Sequence, residues 1–121
     1  MNVTNGNPTS NPCLARSVLD TLGNKWSVLV IRRLADLNPQ RFSELRRNLD
    51  GISQRMLTET LRNLERDGLL TRTVYAAIPP KVEYALTELG SSFATQVNGI
   101  ISWAAENGAK IVVARRLFDD P

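Results

Sequence analysis

Residues 61–70, LRNLERDGLL, continue directly into residues 71–86, TRTVYAAIPPKVEYAL. The first segment has leucines at helical spacing, and Gly68 is the kind of residue that ends a helix. The second segment alternates apolar and polar residues on both sides of Pro79 and Pro80, which predicts a β-hairpin with a proline-containing tip. A helix that stops at a glycine and leads into a hairpin is typical of a winged helix-turn-helix, in which a recognition helix lies beside its wing.

Two helices are expected near the start of the chain. Asn11 and Pro12 suit the N-cap and the first turn of a helix, and Gly23 ends the apolar repeat that follows. Asn24 can cap a second helix, which should end near Leu37, just before an Asn-Pro pair. Both helices precede the helix-and-hairpin segment, as a winged helix-turn-helix requires.

A short third helix and the long fourth helix are expected next. Arg41 and Phe42 are predicted to form a short strand, and Ser43 then caps the third helix. Ser53 caps a fourth helix that should run to Asp67. This fourth helix is the one that leads into the hairpin, so it is the expected recognition helix.

The last helix carries more apolar surface than one side of a small domain needs. Thr87 is expected to cap it, and the pair Asn107-Gly108 to break it, with one or two further helical turns within residues 109–118. The surplus predicts a partner helix, most simply from a second copy of the chain. The apolar stripe and the residues that widen it are Leu89, Phe93, Val97, Ile100, Ala104, Ile101 and Trp103.

The chain of 121 residues is long enough for one domain with a single core. We divide it into a flexible N-terminal arm over residues 1–10, a winged helix-turn-helix domain with dimerisation helices over residues 11–107, and a C-terminal extension over residues 108–121. The fold class is mainly α with a small β-hairpin. The 15 lysines and arginines exceed the 12 acidic residues, for a net charge of +3. This balance suits a polyanion partner, although ordinary solubility would also explain it.

Several functional classes are disfavoured by what the sequence lacks. There is no histidine and only one cysteine, which disfavours a metal site, an intrachain disulfide and the common nucleophile–histidine pairs of enzymes. No apolar run approaches the roughly 20 residues of a membrane span, and no secretory signal is present. We therefore expect a protein of the bacterial cytoplasm that is not an enzyme, does not enter a membrane and uses no cofactor.

The fourth helix has two contrasting faces. Leu57, Leu61 and Leu64 form one stripe, and arginines together with Glu59 lie opposite. The opposite face could be a solvated surface held by internal ion pairs. The short helix before it and the hairpin after it favour a DNA-reading face instead. The candidates for base readout are Ser53, Gln54, Arg55, Thr58, Glu59 and Arg62, and those for contacts with the DNA backbone are Lys25, Arg41, Arg46, Arg47, Arg72 and Lys81.

Five short stretches and two single residues occur together in one order along the chain. They are LGNKW (22–26), RFSEL (41–45), GISQRML (51–57), LRNLERDG (61–68), PKVEYALT (80–87) with Gly90, and Trp103. In order and spacing, this set resembles the HxlR-type winged-helix regulators of bacteria over roughly residues 13–104. No single stretch is decisive, but the ordered set is specific to that family.

The resemblance implies a homodimer, with an interface formed by the first and last helices, and a partly palindromic operator. Some members of the family sense electrophiles, quinones or oxidants through a cysteine at the start of the first helix, a position that Cys13 matches. The sequence departs from the family in having Leu14 where proline often follows this cysteine, and in having no second cysteine. The residues expected at the dimer interface are Leu14, Val18, Val97, Ile100, Ile101, Trp103 and Ala104.

Two interpretations of Cys13 stay open from the residues alone. At the start of a helix, unpaired N–H groups and the helix dipole favour a reactive thiolate. The other interpretation is a small, inert residue that fills space near the dimer interface.

These observations predict a DNA-binding transcription regulator, a repressor rather than an activator. It is expected to bind double-stranded operator DNA as a homodimer and to respond to an oxidant or electrophile through Cys13. The alternative is a winged-helix protein-interaction module that does not bind DNA. The arginines on the exposed face of the fourth helix favour the regulator.

Overall fold

The computed structural model describes residues 12–120, apart from the side chain of Thr21. The predicted N-terminal arm and the proposed cap at Asn11 lie outside the described residues. Five helices and one two-stranded sheet follow the order expected of a winged helix-turn-helix. They are α1 (Pro12–Leu22), α2 (Lys25–Asp36), α3 (Phe42–Asn48), α4 (Gln54–Arg66), β1 (Leu70–Tyr75), β2 (Lys81–Leu86) and α5 (Glu88–Asp119).

Three helices begin at side-chain caps that the sequence predicts. The side-chain oxygen of Asn24 accepts a hydrogen bond from the backbone N–H of Trp26 at 2.9 Å, which starts α2. The hydroxyl oxygen of Ser53 accepts from the N–H of Met56 at 3.0 Å and starts α4. Thr87 caps α5 in the same way. Each cap satisfies a backbone N–H that has no partner within the helix, so these starts follow from local chemistry alone.

The prediction for the segment before α3 is wrong in two details. The residue that pairs with the sheet is Gln40, not Arg41 or Phe42, and its N–H and C=O both bond to the backbone of Tyr84, at 2.9 and 2.7 Å. Arg41, rather than Ser43, is the N-cap of α3. The backbone N–H of Arg41 donates to the carboxylate of Glu44 at 2.9 Å, and this contact lets the helix begin two residues earlier than expected.

The hairpin is antiparallel, with Leu70 opposite Leu86 and Tyr75 opposite Lys81. It therefore confirms the predicted strands and places the tip at residues 76–80. The two strands differ in burial: β1 is buried only at Leu70, whereas every residue of β2 is at least partly buried and Tyr84 belongs to the core. Val74 of β1, although apolar, is 53% exposed.

The core lies between α2, α4 and the base of the hairpin. Ile31 and Leu34 of α2 are fully buried, as are Leu57 and Leu64 of α4. The leucine stripe predicted for α4 is therefore confirmed. Because this stripe faces α2, the opposite face of α4 is turned to solvent.

The end of α4, the start of β1 and the start of α5 form one tight joint. Gly68 ends α4 with a φ of 77°, a conformation that favours glycine. The hydroxyl of Thr87 donates to the carbonyl of Gly68 at 2.6 Å, and its N–H donates to the carbonyl of Leu69 at 3.1 Å. Gly90 lies so close to that same carbonyl of Leu69 that an added Cβ would overlap it. The joint therefore ties α5 to both the recognition helix and the hairpin.

The predicted break at Asn107-Gly108 is wrong, since α5 is one helix of 32 residues. Asn107 does not leave the helix, because its side-chain amide donates to the carbonyl of Trp103 at 2.9 Å. Gly108 does not have a positive φ, and a Cβ built there would meet nothing within 4 Å. An interior glycine costs only about 1 kcal/mol relative to alanine, which the helical residues on both sides offset. The C-terminal extension defined from the sequence thus continues α5.

The buried side of α5 also differs from the predicted stripe. Gly90, Ala94 and Val97 are its buried residues, whereas Leu89 and Ile100 are exposed. Val97, which was expected at the dimer interface, is 3% exposed within a single chain and packs inside it. The close approach of α5 at Gly90 explains the shift, because the helix contacts the domain through its small residues. None of the described helices is both long and apolar enough to cross a membrane.

Candidate nucleic-acid interface

The solvent-facing side of α4 presents four charged side chains, Arg55, Glu59, Arg62 and Arg66, all exposed. The helical repeat brings them together, since they are spaced three and four residues apart. The Nε atom of Arg55 lies 3.3 Å from a carboxylate oxygen of Glu59, and the Arg55 side chain is 90% exposed. This is one of the internal pairs that the sequence allows on a solvated face. It leaves an excess of positive charge on the face.

The Arg55–Glu59 contact engages one edge of the guanidinium only. The contact uses Nε, so the two terminal nitrogens of Arg55 have no hydrogen-bond partner among residues 12–120. A guanine presents two acceptors, O6 and N7, in the major groove, and these match two donors of a guanidinium. The contact with Glu59 therefore orients the guanidinium of Arg55 and leaves two of its nitrogens free to donate hydrogen bonds.

The other side chains at the start of α4 differ in which of their groups remain available for contact with DNA. The hydroxyl of Ser53 is engaged in the helix cap. Thr58 donates its hydroxyl hydrogen to the carbonyl of Gln54 at 2.8 Å, so its methyl group is the part suited to an apolar contact. The amide of Gln54 is exposed and has no partner among the described residues, which suits hydrogen bonding to adenine.

Two shallow grooves run along the sides of this face. The hairpin groove, about 380 Å³, lies between α4 and the sheet and is lined by Thr58, Leu61, Arg62, Glu65, Arg72 and Tyr84. The α2 groove, about 320 Å³, lies on the other side and is lined by Asp20, Asn24, Ser27, Met56, Glu59, Thr60 and Asn63. The structure thus brings Arg62 and Arg72 into one groove. The sequence did not indicate Tyr84 as a site residue, because its place in an alternating strand predicts only burial.

Other candidate contacts with the DNA backbone lie on α2 and α3. Arg46 and Arg47 lie in the last turn of α3, and Arg41 at its start, all exposed. The ammonium of Lys25 lies 4.9 Å from the centre of the Trp26 ring. Of the predicted backbone contacts, Arg72 shares a groove with residues of α4.

Lys81, one of the candidate contacts with the DNA backbone, already has protein partners. Its ammonium lies 3.2 Å from the carboxylate of Glu83 and 5.4 Å from the centre of the Tyr75 ring. The lysine is therefore held against its own strand pair. A phosphate would have to compete with Glu83 for it.

Exposed apolar residues form a second candidate surface on α1 and α5. Leu14 and Val18 of α1 are exposed, as are Ile100, at 69%, and Trp103, at 58%, on α5. Ile101 is half-buried and Ala104 is exposed. Cys13 is exposed in the first turn of α1, next to this surface. Apolar side chains of this size are seldom left in water by a monomeric domain when they lie together.

The described residues contain no group of three or more His, Cys, Asp or Glu side chains that could hold a metal ion. The charged groups of the α4 face are exposed to solvent. A helix with an arginine-rich face, set beside a hairpin, has the form of a DNA-reading element.

Comparison with known proteins assigns the family. The family model described as HxlR-like helix-turn-helix matches residues 21–111. The HTH-type transcriptional regulator YtfH of Escherichia coli is 37% identical over 110 residues, which are 91% of this chain and 86% of YtfH. The structure of a transcriptional regulator ytfH from Salmonella typhimurium matches with a TM-score of 0.78 and 38% identity, over 93% of this chain and 99% of that one.

A further solved structure that matches is that of a redox regulator. The redox regulator HypR in its reduced form matches with a TM-score of 0.75 and 39% identity, over 82% of this chain and 97% of that chain. Both YtfH and HypR are therefore regulators. The winged helix-turn-helix fold, the family model and these relatives agree, and the chain belongs to the HxlR-like helix-turn-helix family of transcriptional regulators.

Proposed function

We propose that this protein is a homodimeric repressor that binds a partly palindromic DNA operator, acts through binding rather than catalysis, and places α4 in the major groove. The observation that carries the proposal is the solvent-facing side of α4. It holds three arginines over a leucine stripe that is fully packed on the core, so the charged side chains are presented from a rigid support. A helix in the major groove with a hairpin beside it accounts for both elements.

Base readout would come from the first two turns of α4. The unused donors of Arg55 suit guanine, the amide of Gln54 suits adenine, and the methyl group of Thr58 suits thymine. Glu59 accepts from Arg55 and so orients it, with its other carboxylate oxygen available to a cytosine amino group. The arginines of α3 would contact phosphates, which position the protein without reading the sequence.

The homodimer is supported by the exposed apolar residues of α1 and α5. Leu14, Val18, Ile100 and Trp103 all lie outside the core of a single chain. A second copy that covers them would present two recognition helices, and two equivalent half-sites then give a palindromic operator. The long α5 contributes further exposed residues, Val113 and Leu117 among them.

A sensing role for Cys13 is the second part of the proposal. HypR, a relative in fold and sequence, is described as a redox regulator. Cys13 is exposed at the start of α1, beside the proposed dimer surface. A quinone would add to the thiol with no leaving group, whereas diamide would take two electrons and two protons from two Cys13 thiols and so join the subunits. Either change would alter α1 where the copies meet.

Binding selection from a random-sequence duplex pool tests the proposal. We expect the purified protein to enrich partly palindromic duplexes and its affinity for them to fall steeply as salt rises from 50 to about 200 mM. A duplex with only one half-site should bind more weakly. A folded protein that enriches no duplex and shows no salt-dependent binding would instead identify a protein-interaction module.

A further inference from the structure

The hairpin groove holds two arginines that the rest of the described chain leaves unpaired. Arg62 of α4 and Arg72 of β1 both line it. Neither guanidinium has an ion pair within 4.0 Å, or a hydrogen-bond partner, among the described residues, although Glu65 lines the same groove. Two like charges that converge on one groove repel each other, and an anion between them removes that cost.

Tyr84 adds a neutral donor to the same groove. Its side chain is largely buried, at 9% exposure, and it lines the groove floor with Leu61. The backbone of Tyr84 is fixed by two hydrogen bonds to Gln40, at 2.7 and 2.9 Å. Its hydroxyl has no hydrogen-bond partner among the described residues, and a phenol is a good donor to a phosphate oxygen. The groove thus combines two cations that have no protein partner within residues 12–120 with one donor whose backbone is held by hydrogen bonds.

The two sides of α4 differ in charge. The hairpin groove has two arginines and one glutamate among its lining residues. The α2 groove has two carboxylates, Asp20 and Glu59, and no cation among its lining residues. A DNA strand is a row of negative charges, so it is attracted to the first groove and repelled from the second.

We propose that the hairpin groove is a phosphate site, in which Arg62, Arg72 and Tyr84 together bind one backbone phosphate of the DNA. This rests on the proposed function and deepens it. Arg62 then contacts the DNA backbone rather than a base, unlike Arg55 two turns earlier in α4. The site also fixes the path of one DNA strand between α4 and the hairpin.

Glu65 lowers the affinity of the hairpin groove for a phosphate. Its carboxylate lines the groove without pairing to either arginine, so a phosphate that enters the groove meets one like charge. This repulsion falls equally on every DNA sequence, because all duplexes carry the same phosphates. Neutralising Glu65 should therefore raise affinity without changing sequence preference.

The test measures affinity and its salt dependence for Arg62→Ala, Arg72→Ala and Tyr84→Phe. The probes are a duplex enriched by the wild-type protein and versions of it changed at single base pairs. Each arginine variant should bind all probes about tenfold more weakly and lower the slope of log K against log salt by about one. Tyr84→Phe should weaken binding to all probes several-fold with an unchanged slope, since it removes a donor but no charge. In the double variant of Arg62 and Arg72, the fold-decrease in affinity should be smaller than the product of the two fold-decreases in the single variants.

Two controls separate this inference from the proposed function. Arg115→Ala, in the distal half of α5, removes the same charge outside the groove and should leave affinity within about twofold, and Glu65→Gln should tighten binding to all probes. An Arg62→Ala protein that relaxes preference at one base pair with an unchanged salt slope overturns the phosphate site, while the wild-type binding leaves the proposed function standing. Unchanged affinity in both Arg72→Ala and Tyr84→Phe overturns it as well. A wild-type protein that binds no duplex overturns the proposed function and this inference together.

Discussion

Arg55 shows how a weak contact can still have a specific role. Its pair with Glu59 is an exposed i, i+4 ion pair, which contributes only about 0.3–0.5 kcal/mol to stability. The value of the pair lies in geometry, because it holds the guanidinium by Nε and leaves two terminal donors facing outward. The sequence predicts the residue and its partner from spacing alone. It does not predict which nitrogen is engaged, since that depends on side-chain conformation.

Substitution of Arg55 should separate sequence reading from general attraction. Arg55→Ala is expected to weaken binding to the selected duplex by about 1–3 kcal/mol and to relax preference at one base pair. Arg55→Lys keeps the charge but cannot supply two parallel donors, so it should lose the preference while keeping the salt slope of the wild type. Mobility shifts on matched and single-pair variant duplexes measure both effects. Full preference in the lysine variant would show that Arg55 does not make a bidentate contact.

Cys13 carries the prediction for sensing. Diamide or a quinone should release the wild-type protein from DNA and leave Cys13→Ser bound, while the two reduced proteins bind with equal affinity. Anisotropy titrations before and after treatment, with mass spectrometry of the wild-type product, test this. A disulfide between subunits would require their Cα atoms within about 7 Å, so its presence would also locate α1 at the dimer axis. Equal release of both proteins, or of neither, would assign Cys13 a packing role.

The helices differ in whether the residues near each end determine where the helix begins and ends. The starts of α2, α4 and α5 follow from Asn24, Ser53 and Thr87, because each cap needs only residues two or three positions away. The end of α4 at Gly68 is equally local. These are the elements that the sequence predicts correctly. The predicted break in α5 fails because the same residue types that end a helix can also sit inside one when the helix continues on both sides.

The buried side of α5 could not be predicted, because it depends on packing rather than on periodicity. An apolar count favours the side with Leu89 and Ile100, yet the helix packs through Gly90, Ala94 and Val97. Small residues let the backbone of α5 approach the carbonyl of Leu69. Similarly, the sequence identifies Arg62 and Arg72 as candidate DNA contacts but cannot show that they share a groove with Tyr84.

Two glycines of α5 should respond to alanine in opposite directions. Gly90→Ala is expected to lower the free energy of unfolding by about 1–3 kcal/mol or more, because the new Cβ would overlap the carbonyl oxygen of Leu69. Gly108→Ala should raise it by about 0.5–1 kcal/mol, since the site is open and alanine favours the helix. Urea unfolding followed by circular dichroism, at one protein concentration, measures both. A stabilising Gly90→Ala would mean that α5 does not pack closely on the joint.

Apolar side chains of α1 and α5 are exposed to solvent in a single chain. Contact with a second copy of the chain is the simplest way to bury them. Ile100→Asp should shift the protein from dimer to monomer in sedimentation velocity at micromolar concentration, with unchanged helix content. Ile78→Asp is the matched control, because Ile78 is fully exposed at the hairpin tip and belongs to neither α1 nor α5. It should leave the dimer intact. A wild-type protein that sediments as a folded monomer would contradict the dimer and the two-half-site operator.

The joint at Gly68, Thr87 and Gly90 also restricts which operators the dimer can bind. The restriction concerns the rotational position of one half-site relative to the other around the DNA axis. With α4 and α5 tied together without a hinge, the angle between the two recognition helices is set by the dimer and cannot follow a change in the operator. B-DNA turns once in about 10–10.5 base pairs, so two base pairs inserted between half-sites rotate one of them by about 70°. Affinity for such an operator should fall to that for a single half-site. A protein with a pliable connection at this position would instead tolerate the insertion.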